Sequence, residues 1–338
     1  MTPQDSLARA RVRLALREAV RNHLFDPNVR MIDFGHPRHG GVLDTDQTAI
    51  RVHVRRKLAG RSLESAVRAG ATAPIPASIA GIRTDVLVGR YRTHYVFPSP
   101  AQPGGRATTG VGWNRASRSA RANPLRGGIS ISDAADYTYG TLGGLVFDRS
   151  TGAPMILSNW HVLVGSWSVQ PGLPIYQPGR LDGGLFSDTV ARYTRDAMAV
   201  NLDAAVAAVG AARPLVNDQF DLGPVRGLAT AQLGMSVIKS GRASGITNGR
   251  VTAIEGTVRM PYAGVERIIR NCVTIDPTVD GGQVSTGGDS GSLWLDAATR
   301  RAVGLHFAGS DVPERALALD LPSVLDALQV RLATTIGA

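Results

Sequence analysis

The sequence predicts a mainly β protein: an antiparallel barrel or sandwich that follows a small α+β unit. Three observations carry this. From "GGISIS" onward, short β-type runs alternate with turn clusters, as in "TLGGLVFDRSTGAPMILSNWHV" and "SVIKSGRASGITNGRVTAIEG". The 39 glycines and 19 prolines supply the many turns such a body needs. The first stretch of the chain reads differently, with helical spacing mixed among strand runs.

Residues 5–24 read as a helix, because Val12, Leu16, Val20 and Leu24 recur at i, i+4 and form one apolar stripe. "AIRVHVRRKL" alternates as a half-exposed strand, with Ile50, Val52 and Val54 on one face. "SLESAVRAG" is a short helix that stops at Gly70, and "GIRTDVLVGRY" is a further strand. Residues 1–95 therefore form the N-terminal unit. Residues 96–125 are rich in Pro, Gly, Ser and Arg and read as a connector. Residues 126–338 carry the β runs and close with a helix over Leu321–Ala333. The chain shows no fixed-period repeat.

Composition excludes several classes. Hydrophobic residues make up 43% of the chain and aromatics only 5%, which is ordinary for a globular body. No apolar run approaches the roughly 20 residues that span a bilayer, so no membrane role is expected. The Arg-rich start lacks the apolar core of a signal peptide and reads as an amphipathic helix. There is one cysteine, Cys272, in the apolar run "IIRNCVTI", so it is expected to be a buried, inert thiol. Together these features point to a cytoplasmic setting. The formal charge is +10, and Lys57 and Lys239 are the only lysines. The arginines are scattered and no aromatics interleave with them, so specific nucleic-acid binding is not expected. Asp33, His36 and His39 lie close together in "DFGHPRH", but the segment is a turn with no further ligand nearby, so no metal site is expected.

The chemistry concentrates in "STGGDSGSLW". Ser290 is either a nucleophile or a polar turn residue. A serine nucleophile needs a general base, and the base needs an orienting group. Among seven histidines, His161 stands out, since "PMILSNWHVLV" places it where an apolar strand meets a loop. Asp182, Asp188, Asp196 and Asp203 all fall between these two. Only Asp203 leads into an apolar run, "AAVAAV", that would carry it into the body.

"ILSNWHVL", "NLDAAVAAV" and "GGDSGSLW" resemble the His, Asp and Ser blocks of trypsin-like serine proteases of the chymotrypsin fold. The text from "GMSVIKSGRASG" to "VGLHFAGS" is similar to bacterial members such as the streptogrisins and α-lytic protease. With its N-terminal unit, the chain looks closer to unsecreted bacterial trypsin-like peptidases and the plant narrow-leaf trypsin-like proteins. This resemblance implies a double antiparallel β-barrel with the active site in the cleft between barrels, and a polypeptide substrate. It implies that His161 is the base, Asp203 orients it and Ser290 attacks. Gly288 and Ser290 amides would form the oxyanion hole, and His306, Phe307, Ala308 and Gly309 would line the substrate strand. No cofactor is implied.

The chain also departs from that pattern. It has no disulfides, and Trp160 stands directly before His161 where Asn or a small residue is more familiar. In digestive relatives the acid before the serine pairs with an N-terminus released by cleavage. Asp289 holds that place. Cleavage after Arg126 is one source of a partner, and an internal Arg or backbone donors are the expected one. A histidine at His306 suggests an acidic residue before the scissile bond. The expectation is a regulated serine endopeptidase, with a homo-oligomer or a regulatory protein partner left open. The alternative is a catalytically silent, protease-like scaffold that binds polypeptides.

Overall fold

The computed structural model describes residues 3–93, 115–279 and 281–334. Most of the expected connector lies outside the described residues. The N-terminal unit begins with helix α1 (Pro3–His23). Its stripe buries Ala15, Leu16 and Ala19 against Val29, Ile32, Ile50, Val52 and Val54. The strands beneath it are β1 (Val29–Gly35), β2 (Ala49–Val54) and β3 (Ile82–Val88). β2 pairs antiparallel with β1 and parallel with β3. A parallel pair needs a crossover, and the connection containing α2 (Gly60–Arg68) supplies it. The short strand β4 (Arg92–Thr93) is the last strand of this part among the described residues.

β2 departs from the half-exposed strand that its alternation suggests, because both of its faces are buried. Arg51 and His53, on the face that should meet water, have 0% exposure. The reason is Asp33 on β1. Arg51 Nε and Nη2 each donate to Asp33 at 2.7 Å, Thr274 Oγ1 donates to it at 2.7 Å, and His53 Nε2 lies 3.2 Å away. Burial alone would raise the Asp33 carboxyl, but the charges of Arg51 and His53 hold it far below the usual carboxylate range.

Barrel one comprises β5 (Ser130–Asp133), β6 (Gly140–Thr141), β7 (Gly144–Asp148), β8 (Pro154–Ser158), the one-turn helix α3 (Trp160–Leu163), β9 (Pro174–Tyr176), β10 (Thr189–Asp196) and β11 (Ala205–Val209). The sheet order is β6-β5-β9-β10-β11-β8-β7. β6 and β7, at opposite sides of this order, are separated in the chain by only Leu142 and Gly143, so the sheet must roll up, and a C-terminal strand adds to the outer edge of β7.

Barrel two comprises β12 (Ser236–Gly241), β13 (Gly245–Tyr262), β14 (Val265–Pro277), β15 (Leu293–Asp296), β16 (Arg301–Asp311) and β17 (Glu314–Asp320). The order is β12-β15-β16-β17-β14-β13, and a β12–β13 pairing closes the ring. The two rings give the expected double antiparallel barrel. β13 also pairs with β1, Met31 opposite Val258 and Phe34 opposite Ile254, so the N-terminal strands continue the sheet of barrel two.

The closing helix is shorter than the sequence suggests. α4 (Leu321–Ala327) is capped by Asp320, whose side chain accepts from Ser323 N. Gln329 then takes a positive φ of 52°, and Val330–Leu332 form β18, which pairs with β7. The edge of β7 offers that segment a hydrogen-bonded ladder and a buried site for Val330, so apolar spacing that also suits a helix resolves as a strand.

Asp133 gives a test of this packing. Its Oδ1 accepts from the amides of Ala135 (2.7 Å) and Asp136 (2.8 Å). Burial, and then the charge of Asp136, push its carboxyl up to about 7. The folded chain therefore holds a proton that the unfolded chain releases near pH 4. Stability is highest below that point and falls as pH rises toward 7, by on the order of 4 kcal/mol. Asp133→Asn should flatten this slope in urea titrations at pH 5 and 8, and an unchanged slope would count against it.

Candidate active site

The site is assembled from the ends of strands. β8 finishes at Ser158, and Asn159 opens the turn α3 that carries Trp160 and His161. The three residues before β11, ending at Ala204, hold Asp203, fully buried. His161 N donates to Asp203 Oδ1 at 3.1 Å, and its ring Nδ1 lies 2.5 Å from Asp203 Oδ2. Asn159 Nδ2 donates to the Asp203 carbonyl at 2.7 Å. A carboxylate only accepts, so Nδ1 donates to it, which leaves Nε2 as the ring nitrogen that can act as a base.

The other three candidate acids are engaged elsewhere. Asp182 takes Arg242 and Ser130, Asp188 takes Arg121, and Asp196 takes Tyr193 and the Met198 amide. Sequence reasoning missed Tyr262, whose hydroxyl donates to Asp203 Oδ2 at 3.0 Å. Burial, and then the Asp203 charge, push this phenol well above its usual range, so it stays a donor. Trp160 is buried and packs on Trp167 at 4.5 Å and on Tyr262 at 6.2 Å.

Ser290 sits in the turn before β15. Gly288 and Gly291 take φ values of +96° and +97°, a region that disfavours side chains. Space is closed as well. A Cβ on Gly288 would lie 2.2 Å from the Tyr139 ring, and one on Gly291 would lie 2.1 Å from Ser158 Oγ. Barrel one grips this turn. Thr141 N donates to Ser290 O at 2.7 Å, and Thr141 Oγ1 donates to Gly288 O at 2.8 Å. Ser158 Oγ in turn donates to Thr141 O at 2.8 Å. A Cβ on Gly140 would meet Val162, the neighbour of His161, on one side and Ser290 O on the other. The serine turn and the histidine turn thus flank one residue at the boundary of the barrels. Ser290 Oγ itself donates to Phe307 O at 3.2 Å.

Asp289 is fully buried and accepts five hydrogen bonds. Ala243 N and Ser244 N reach Oδ1, both at 3.0 Å, while Lys239 Nζ (2.8 Å), Ser244 Oγ (2.5 Å) and Thr286 N (3.0 Å) reach Oδ2. The partner is therefore internal and includes backbone donors, as expected, but the cation is a lysine rather than an arginine. Burial alone would raise the Asp289 carboxyl, but the charges of Lys239 and His306 and these hydrogen bonds hold it well below the usual range. The Arg126–Gly127 bond, considered for activation cleavage, lies inside the strand Leu125–Gly127, and Arg126 pairs with Asp218 at 2.9 Å.

His306, Phe307, Ala308 and Gly309 are all buried on β16. The His306 ring stands edge-on to Trp294 at 6.2 Å. The "DFGHPRH" residues take separate partners, Asp33 with Arg51, His36 with the Gln47 carbonyl and His39 beside Asp44. Cys272 is buried, and burial pushes its thiol well up.

No protein-family model and no curated protein matches the chain. Solved structures do. Cellulomonas bogoriensis chymotrypsin is 20% identical, with 63% of this chain and all of that one covered, at a TM-score of 0.46. Thermobifida fusca protease A is 18% identical over 62% of this chain and 99% of that one, at 0.47. The Nocardiopsis protease is 17% identical over 62% and 100%, at 0.46.

Proposed function

We propose that the protein is a serine endopeptidase. The observation that carries this reading is that Asp203, buried away from water, meets His161 through two hydrogen bonds, while Asp182, Asp188 and Asp196 do not. In this reading His161 Nε2 takes the Ser290 hydroxyl proton as the oxygen attacks a scissile carbonyl. The Gly288 and Ser290 amides receive the oxyanion, a role in which one donor is worth about 10²–10³ in kcat. His161 then gives its proton to the leaving amine, and water hydrolyses the ester left on Ser290. Asp203 stays ionised and steadies the imidazolium. No step calls for a cofactor. Polypeptides are the substrate class, and the lone buried Cys272 fits a reducing compartment.

The competing reading, a scaffold that binds polypeptides without turnover, draws on one observation: Ser290 Oγ is spent on the Phe307 carbonyl. A rotation about one side-chain bond releases it. Proteomic mapping of cleavage sites, with Ser290→Ala as control, tests the proposal. New termini that appear only with the unaltered protein are expected, and identical termini in both would refute it.

Tyr262 is a positioning residue in this account. Tyr262→Phe removes one donor from Asp203 and leaves the packing. We expect kcat to fall by about tenfold, or ~1.4 kcal/mol, with KM unchanged. The acid limb of the pH–rate profile should move to higher pH, because a less satisfied carboxylate favours the imidazolium more. A purely structural role would lower stability without moving that limb.

A further inference from the structure

The two edges of β16 are used differently. One edge pairs with β17, with Leu305 opposite Leu319, Ala308 opposite Leu317 and Gly309 opposite Ala316. The other edge is covered in consecutive pieces. Ala302, Gly304 and Leu305 pair with β15. At His306 the serine turn takes over, with Gly291 N donating to its carbonyl and its amide donating to Ser292 O, both at 2.9 Å. Phe307 O accepts from Ser290 Oγ. Ala308 and Gly309 then pair antiparallel with Thr93 and Arg92 of β4. β17 already holds the first edge at these two residues, so β4 must lie on the second edge, immediately beyond Ser290.

That stretch is where a peptide would add as a strand to reach the nucleophile, since extended peptides bind sheet edges through main-chain hydrogen bonds. The polarity agrees. From Arg92 to Thr93 the chain tracks Gly309 to Ala308, toward Phe307 and Ser290. Several contacts fix β4 there. Arg92 is ion-paired with Asp311. Tyr91 OH meets His53 Nδ1 at 2.6 Å, and Arg315 Nη1 donates to Val88 O at 3.0 Å. Gly89 N donates to Val54 O at 3.0 Å. Only three residues separate β4 from β3, so its effective concentration at the edge is high. Yet among the described residues the pairing is just two residues long, and Arg92 is exposed.

We propose that β4 is a built-in occupant of the peptide-binding edge of β16, held by the N-terminal unit, which a substrate strand must displace. This rests on the reading of Ser290 as nucleophile. The competition then appears in KM for long substrates, and a reagent that needs no strand pairing escapes it.

Arg92→Pro/Thr93→Pro tests it, since proline donates no ladder hydrogen bond. Hydrolysis of an extended peptide is compared with labelling of Ser290 by a small fluorophosphonate. An edge occupied nine parts in ten gives about a tenfold rise in kcat/KM on release. That rise is expected to come from KM and to exceed any change in labelling rate. Labelling in both proteins with the same KM for the long peptide would overturn the occupancy and leave the nucleophile standing. Neither labelling nor hydrolysis in either protein would overturn the nucleophile, and this inference with it. If the double proline protein does not fold, the charge swap replaces it. Arg92→Asp should lower KM and Arg92→Asp/Asp311→Arg should restore it, and no change in Arg92→Asp would refute the proposal.

Discussion

Ser290→Ala should lower peptide hydrolysis by about 10⁶-fold while leaving the melting temperature nearly unchanged. The magnitude follows from what removal of such a nucleophile costs in an enzyme whose serine and histidine act as a unit. His161→Ala should cost about as much, and the double variant little more than either alone, because neither residue acts without the other. Asp203→Asn is expected to cost about 10⁴-fold. Its amide would present a donor where His161 Nδ1 also donates, so the ring would turn to the wrong tautomer. Steady-state rates on one peptide substrate check all four. Additive losses would show that the residues do not work together.

The second large effect concerns Lys239. It is one of two lysines in an arginine-rich chain, and it is wholly buried against Asp289. Lys239→Met would leave a buried carboxylate without its cation, a change that typically costs about 3–5 kcal/mol. The pH dependence has a definite sign. In the unaltered protein the Asp289 carboxyl lies below its unfolded value. Its contribution is therefore complete above about pH 4 and is lost as pH falls through the folded value. Without Lys239, burial pushes the carboxyl up instead, so the deficit should be larger at pH 8 than at pH 5. Hydrolysis should fall with it, because Asp289 also holds the Thr286, Ala243 and Ser244 amides that shape the serine turn. Urea titrations at the two pH values, with rates measured beside them, check both. A deficit independent of pH would mean that the pair is not ionised.

Much of this was legible in the chain. His161, Asp203 and Ser290 each stand beside a strong apolar run, so the sequence marks them as rim residues of a β body. The three-turn stripe of α1 was legible for the same reason. Other features were hidden by their nature. Alternation in β2 marks a strand, but it does not say whether the polar face is covered, and Arg51 and His53 are buried because Asp33 waits on the next strand. Tyr262 reaches Asp203 across 59 residues of sequence with no local motif. Lys239 carried one signal that was passed over, its rarity among arginines. The terminal strand β18 depends on an edge formed by β7, which no local pattern reports. The pairing of β4 with β16 covers two of the described residues and joins distant parts of the chain, so nothing in "RYRT" announces it.

The most direct test of the central claim is mass spectrometry of the protein after treatment with a fluorophosphonate. The account predicts one adduct, on the peptide that contains Ser290, absent from Ser290→Ala and strongly slowed in His161→Ala. No adduct in the unaltered protein or in Arg92→Pro/Thr93→Pro between pH 6 and pH 9, or an adduct on another serine, would contradict it.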